Sequence, residues 1–165
     1  MSIKGTIGQN VASDGEMQVD KTIIDRQNPA TANGKVFTIT VQNGSVNATN
    51  TTAIKIIRIN GINYDVIYNQ VLSNLPTGTN VITLTTPQNV LIGDMLGFWS
   101  GGSGTAATLA RLYTPGLYSM ITGDVTTTTP ISSFSAATDA KMDMYANIMS
   151  VQAGGGFSIS NPMIF

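Results

Sequence analysis

Short β-favouring runs, each ended by turn-forming residues, constrain the fold of this chain more than any other sequence feature. From Lys35 onward, stretches rich in Val, Ile, Thr and aromatic residues alternate with Gly, Asn, Pro and Ser. The first run covers residues 36–41. Phe37, Ile39 and Val41 fall on one face of that strand and threonines on the other. This alternation predicts sheets that bury one face.

The dipeptide Asn60-Gly61 gives the clearest turn signal. It separates two β-favouring runs, 53–59 and 62–68. Asn-Gly suits a two-residue type I′ turn, because both central residues of that turn have positive φ. The sequence therefore predicts a β-hairpin with Asn60 and Gly61 as its loop.

A loop at these two residues would also set the register of the hairpin. It would pair Ile59 with Ile62 on one face and place Arg58 and Asp65 diagonally on the other. We interpret the Arg58–Asp65 pair as a modest surface contact rather than a site, since exposed ion pairs contribute about 1 kcal/mol or less.

Further strands are predicted along the rest of the chain, and no long amphipathic helix is evident. The runs are residues 80–85, 90–99, 107–113, 117–122, 125–128 and 141–151. Many short strands joined by frequent turns indicate an all-β, antiparallel β-sandwich of jelly-roll or Greek-key type, with a barrel as the nearest alternative. Pro87 and Pro130 are expected at strand ends or sheet edges, where a missing N–H is tolerated.

Residues 1–34 differ from the rest in being richer in charge, Gly, Asn and Ala. We expect them to form an extended N-terminal arm, and residues 35–165 to form a β-sandwich domain with an apolar C-terminal tail. The arm would dock on a neighbouring subunit or add a strand to an exposed edge, and packing on its own domain is the open alternative. Its docking positions would be Ile3, Ile7, Val19, Ile23 and Ile24.

The predicted tail follows three consecutive glycines, residues 154–156. It ends in Met163, Ile164 and Phe165, which are costly to leave in water. We therefore expect these three side chains to be docked against protein.

Charged residues are unusually scarce. They make up 10% of the 165 residues, whereas about a quarter is usual for a soluble domain. Between Val66 and Ala110 the sole acidic or basic side chain is that of Asp94. A surface of Thr, Asn, Ser and Gln resists association poorly, so the composition indicates a surface buried against other subunits, as in a homo-oligomer.

The same composition excludes several functional classes. Cys and His are absent, which removes disulfides, thiolate and imidazole chemistry, and the usual zinc, copper or haem ligands. The formal net charge of -1 offers no basic surface for nucleic acid or anionic membranes. We expect no cofactor and no metal. The apolar runs are too short for a membrane span or signal peptide, which favours synthesis in a cytoplasm.

Two alternative functions rest on particular side chains. Trp99, Tyr113 and Tyr118 lie near a Gly-rich loop and a Pro-Gly turn and would form a carbohydrate- or receptor-binding platform, although packing is the simpler use of Trp99. Asp139 and Asp143 would serve a hydrolase only if both faced one cleft. We rank that alternative last.

In overall style the chain resembles small β-sandwich bacteriophage virion proteins of the capsid decoration, head-fibre and tail or baseplate types. The features are the polar N-terminal segment, Thr/Asn/Gly-rich strands such as residues 90–99, the absence of Cys and the apolar C-terminus. The resemblance implies a non-enzymatic structural protein of the virion, made in the host cytoplasm. Its partners would be copies of itself and other virion proteins such as a major capsid protein, with a glycan as the alternative ligand.

Overall fold

The computed structural model describes residues 1–10, 15–16, 20–43, 51–101, 110–112, 117–137 and 141–150. Within these ranges the chain is built of strands, with a single short 3-10 turn at Ile131–Ser133. The strands are β1 (Ile3–Gln9), β2 (Gly15–Glu16), β3 (Lys21–Asp25), β4 (Gly34–Asn43), β5 (Thr51–Asn60), β6 (Asn63–Ser73), β7 (Gly78–Val90), β8 (Met95–Ser100), β9 (Ala110–Leu112), β10 (Tyr118–Thr122), β11 (Thr129–Pro130), β12 (Ser135–Ala137), β13 (Lys141–Met142) and β14 (Met144–Met149).

Two antiparallel sheets form a sandwich, which confirms the predicted fold class. The smaller sheet has the order β1-β14-β4-β7, and the larger has the order β11-β6-β5-β8-β3-β10-β12. A third sheet, of three strands, has the order β13-β9-β2. The strands β5 and β6 pair in the larger sheet while their chain neighbours β4 and β7 pair in the smaller one. This two-stranded ribbon bends from one sheet into the other, as in jelly-roll folds.

The main core fills the space between the two sheets. Ile7 and Ile39 come from the smaller sheet, and Ile54 and Phe98 from the larger one; all four are almost fully buried. Burying such a side chain contributes about 1.5–3 kcal/mol to folding. Apolar side chains from both sheets thus join them, and among these four residues Ile39 belongs to the alternation recognised in the sequence.

A second apolar cluster lies on the outer face of the larger sheet, where Ile24, Ile57, Tyr64 and Met95 pack together. Residues 123–134, which we call the strap, cross this face. Phe134 of the strap meets the Tyr64 ring edge to face, with centroids 5.0 Å apart. The larger sheet is therefore buried on both faces along this stretch.

Hydrogen bonds hold the strap at its start and near its middle. At its start, the Thr22 hydroxyl donates to the Gly123 carbonyl at 2.6 Å and accepts from the Val125 N–H at 3.0 Å. Further along, the Thr128 hydroxyl donates to Asp65 Oδ1 at 2.8 Å. That bond, together with one from the Asn60 side chain, lowers the pKa of Asp65. Residues 125–128 form this covering segment rather than the strand predicted for them.

The N-terminal arm predicted for residues 1–34 is corrected by the structure over its described parts. β1 pairs with β14, and β3 is an inner strand between β8 and β10. Ile7, Ile23 and Ile24 are buried within the chain's own sandwich, and Ile3 is exposed. Val19 lies outside the described residues. The alternative of packing on the same domain therefore describes this segment, and residue 34 is not a boundary between two units here.

The β5–β6 hairpin exists, but its predicted loop is displaced by one residue. Asn60 pairs with Asn63, so the two loop residues are Gly61 and Ile62. Gly61 has φ 60, whereas Ile62 is not among the positive-φ residues. A two-residue loop with Gly at its first central position is typical of a type II′ turn.

This displacement changes the cross-strand partners. Ile59 lies opposite Tyr64 rather than Ile62, and Arg58 lies directly opposite Asp65 rather than diagonally. The Arg58 guanidinium nevertheless turns away to bind Asp94. The predicted Arg58–Asp65 contact is therefore replaced by a more buried ion pair.

Candidate functional site

Exposed apolar side chains are concentrated at one end of the sandwich. Among the described residues, the large exposed hydrophobic side chains are those of Met1, Ile3, Ile59, Ile62, Val71, Val81, Leu91, Ile92 and Leu117. All but Val71 and Val81 lie where β1, β4, β6, β8 and β10 begin and where β5 and β7 end. We call this surface, formed by the other seven side chains, the apolar end.

The topology explains this clustering. The loop after β5 and the turn between β7 and β8 both lie at this end, and Gly34 at the start of β4 pairs with Val90 at the end of β7. Ile3 pairs with Met149, the last residue of β14. Residues far apart in the sequence are therefore brought to one surface by the antiparallel pairing.

A pocket of about 270 Å³ lies between the β5–β6 hairpin and the turn that joins β7 to β8. Apolar side chains from both elements border it, together with one ion pair. Its lining is Arg58, Ile59, Leu91, Ile92, Gly93 and Asp94. The pocket shows that Ile59, Leu91 and Ile92 form a continuous surface rather than isolated exposed groups.

The ion pair between Arg58 and Asp94 fixes this pocket. Arg58 Nε donates to Asp94 Oδ1 at 2.8 Å and Nη2 donates to Oδ2 at 2.7 Å. The side chain of Asp94 is 2% exposed and that of Arg58 is 34% exposed. Hydrogen bonding to Asp94 raises the pKa of Arg58 further above its ordinary value. Such a two-point contact holds the guanidinium in one orientation.

Asp94 also orders the turn that carries the apolar side chains. Its Oδ2 accepts a hydrogen bond from the Leu91 N–H at 2.8 Å. Gly93, with φ 95, supplies the left-handed conformation that the turn needs. Gly93 and Asp94 are therefore turn residues, and the ion pair attaches this turn to β5.

A second groove, of about 450 Å³, lies beside the first and shares Leu91 with it. Lys4 lies on one side and Asn33 and Asn89 lie close by. Asn33 Oδ1 accepts a hydrogen bond from the Ile92 N–H at 2.8 Å. The turn bearing Leu91 and Ile92 therefore lies between the pocket and the groove. Hydrogen bonds from its backbone to the side chains of Asn33 and Asp94 hold it in place.

The aromatic platform expected from Trp99, Tyr113 and Tyr118 is not assembled by the described residues. Tyr118 is 5% exposed and belongs to the core between the sheets. Trp99 points to the opposite face of the larger sheet, because the adjacent Phe98 belongs to that core. Its ring lies over Gly101, and its Nε1 donates to Asp20 Oδ1 at 3.4 Å. Tyr113 lies outside the described residues.

The other residues singled out from the sequence contribute little to a described site. Met163, Ile164 and Phe165 lie outside the described residues, as does Asp139. Asp143, the second carboxylate of the hydrolase alternative, is buried. The structure thus gives no observation that brings an Asp139–Asp143 pair to a cleft.

A polar cluster that sequence reasoning missed lies under the strap. The Lys55 side chain is 0% exposed and its Nζ donates to Asn69 Oδ1 at 2.6 Å. The same Nζ forms an ion pair with Asp124 Oδ1 at 2.5 Å, where the Asp124 side chain is 24% exposed. Burial lowers the pKa of Lys55, and the contact with Asp124 opposes that shift.

Neighbouring residues in the sheet leave room for the Lys55 side chain. Lys55 in β5 lies between Asn69 in β6 and Gly97 in β8. A Cβ atom at Gly97 would lie 3.4 Å from the Cβ of Lys55 and 3.2 Å from Cγ1 of Ile57. The available signal in the sequence is a lone lysine inside the apolar run 53–57. Its partners, 14 and 69 positions away, share no motif with it.

The chain matches no protein-family model, and comparisons with curated proteins and with solved structures find no match either. Among the described residues, no three His, Cys, Asp or Glu side chains are grouped in a way that would hold a metal ion. In the same part of the chain, no helix has the length and apolar character needed to cross a membrane.

Proposed function

We propose that this protein is a non-enzymatic structural component that acts through subunit–subunit interfaces, with the apolar end as its main contact surface. The observation that carries the proposal is the clustering of Ile59, Leu91 and Ile92 around one pocket. Scattered exposed hydrophobic residues are ordinary, whereas a continuous apolar surface marks an interaction site.

Energetics support an interface at this end. Removing one Ile or Leu side chain from water contributes about 1.5–3 kcal/mol. Several such side chains at one end would provide a useful part of the free energy of association. The Arg58–Asp94 ion pair holds the turn in place before a partner arrives, which reduces the entropy lost on binding.

The composition supports a protein assembly as the setting. Few charges are available to keep copies of the chain apart. Together with the resemblance in style to phage virion proteins, this favours a particle component such as a capsid decoration protein. Its partners would be copies of itself and a larger shell protein such as a major capsid protein. It would be made in a host cytoplasm and then incorporated into the virion.

The test is the mass of the purified protein in solution, measured by light scattering at several concentrations and salt levels. An oligomer whose mass does not change with salt is the expected result, because apolar contacts are not screened by ions. A monomer under all these conditions would contradict self-association. The major capsid protein would then be the remaining partner to test, by co-sedimentation with assembled shells.

A further inference from the structure

Asn69 and Asp124 place a primary amide and a carboxyl group within hydrogen-bonding distance of one amine, that of Lys55. The Lys55 Nζ lies 2.6 Å from Asn69 Oδ1 and 2.5 Å from Asp124 Oδ1. The three residues come from β5, β6 and the strap.

We propose that Lys55 and Asn69 become joined by an intramolecular isopeptide bond, with Asp124 as the catalytic residue that carries the proton. The reaction would turn two neighbouring strands of the larger sheet into a covalently closed hairpin. It would proceed without any cofactor or co-reactant, since the folded chain supplies all three groups.

The chemistry balances within these side chains. Asp124 accepts a proton from the Lys55 ammonium, leaving a neutral amine as the nucleophile. The amine nitrogen attacks the Asn69 amide carbon and forms the new C–N bond. Asp124 then returns this proton to the departing nitrogen, the original C–N bond breaks and ammonia leaves. The attacking nitrogen gives its second proton to Asp124, which releases it to solvent. The products are one secondary amide, one ammonia molecule and one proton.

Burial favours the first of these steps. The Lys55 side chain has no exposed surface, and the cost of keeping a charge out of water disfavours its ammonium form. The resulting downward shift of the Lys55 pKa is therefore in the direction that a nucleophilic amine requires. The partly exposed Asp124 carboxyl can exchange protons with solvent.

Strand pairing selects Asn69 rather than Asp124 as the residue that is joined. Lys55 and Asn69 are direct cross-strand partners in the β5–β6 hairpin, so their link requires no displacement of a strand. An ionised carboxylate such as Asp124 is also a poorer electrophile than a neutral amide. A link to Asp124 would expel water instead of ammonia, which distinguishes the two products by mass.

The test is mass spectrometry of the full chain after folding and purification, first intact and then digested with trypsin under denaturing conditions. The linked protein is expected to be lighter than its unlinked form by about 17 Da, the mass of ammonia. Trypsin would fail to cleave after Lys55. The expected product is a branched peptide in which residues 36–58 are joined to residues 59–111.

Asp124→Asn is the first comparison variant, because it keeps the size of the side chain and removes the proton carrier. It is expected to give separate peptides 36–55 and 59–111. Asn69→Ala should do the same, and tryptophan fluorescence from Trp99 would report whether each variant is folded. If either variant fails to fold, the tryptic peptides of the chain without substitutions still decide the proposal.

Two results would overturn the proposal. One is a folded chain without substitutions that yields peptides 36–55 and 59–111 separately and has its full unlinked mass. The other is a loss of about 18 Da, one water, with the branch at Asp124, which would show that a different bond forms.

Discussion

The Tyr68 hydroxyl accepts a hydrogen bond from the backbone N–H of Thr85 at 3.0 Å, across the line where the two sheets meet. Thr85 lies in β7, the edge strand of the smaller sheet, and Tyr68 lies in β6 of the larger sheet. Gln70 assists, since its Oε1 also accepts from the Thr85 N–H, at 3.2 Å. Side chains of one sheet thus satisfy the open edge of the other.

Removing the Tyr68 hydroxyl is therefore expected to weaken the contact between the two sheets. Tyr68→Phe should lower the free energy of unfolding by about 1 kcal/mol, the usual worth of such a hydrogen bond. It should also speed hydrogen exchange at the Thr85 amide. Urea denaturation and amide exchange measure the two effects. Tyr145→Phe is the matched control, because the structure gives its hydroxyl no hydrogen bond within the described residues; an equal loss in both variants would contradict the role of Tyr68.

The Arg58–Asp94 pair should be asymmetric in its response to mutation. Arg58→Met leaves the almost fully buried Asp94 without its cation, and an unpaired buried charge is expected to cost about 2–4 kcal/mol. Urea denaturation would measure the loss. Lys35→Met removes the same charge from a residue with no ion pair in the described part of the chain, so it should cost far less. Similar losses in the two variants would show that the Arg58–Asp94 ion pair contributes no more to stability than the unpaired charge of Lys35.

Gly8 tests whether the N-terminal strand is an integral part of the sandwich. It has φ 74, and a Cβ there would overlap the carbonyl oxygen of Met144. Gly8→Ala is expected to cost about 3 kcal/mol or more, since backbone strain and a backbone clash act together. Gly61→Ala is the control, because Gly61 also has positive φ but its Cβ would meet no atom within 4 Å; about 1 kcal/mol is expected there.

Thermal unfolding of these two glycine variants would separate the interpretations. If residues 1–34 were a detachable arm, Gly8→Ala would leave the melting temperature of the domain unchanged. A clearly lower melting temperature than that of Gly61→Ala is the result expected from β1 pairing with β14.

Local patterns in the sequence are sufficient for the fold class. Alternation such as that of Ile39 and Val41 predicts strands with one buried face, and both residues are indeed in the core. The sequence also predicts Pro87 and Pro130 at strand ends or edges, and they lie in the edge strands β7 and β11. These outcomes depend on residues close together in the chain.

Features that depend on distant residues are not predictable in the same way. The strand β1 mixes polar, apolar and glycine residues, so no alternation within it indicates that Ile7 is buried between the sheets. That burial follows from the pairing of β1 with β14, near the other end of the chain. The hairpin register also escaped prediction, because Asn-Gly fits two neighbouring turn placements and tertiary contacts decide between them.

The candidate site is the least accessible to sequence reasoning. Ile59 and Ile92 look like ordinary strand and turn residues until the β5–β6 and β7–β8 connections meet at one end. Lys55 likewise has no partner within its own strand, and Asp124 reaches it only because the strap crosses the outer face. No alternation or residue spacing in the sequence predicts these contacts between distant residues.

The most direct test of the apolar end as a subunit interface compares two matched substitutions by light scattering. Ile92 and Val81 are 67% and 65% exposed, but only Ile92 belongs to the apolar end. Ile92→Glu is expected to dissociate the oligomer, with a dissociation constant raised at least about tenfold, whereas Val81→Glu should leave its mass unchanged. Equal masses for both variants, or dissociation by Val81→Glu alone, would contradict the proposed interface.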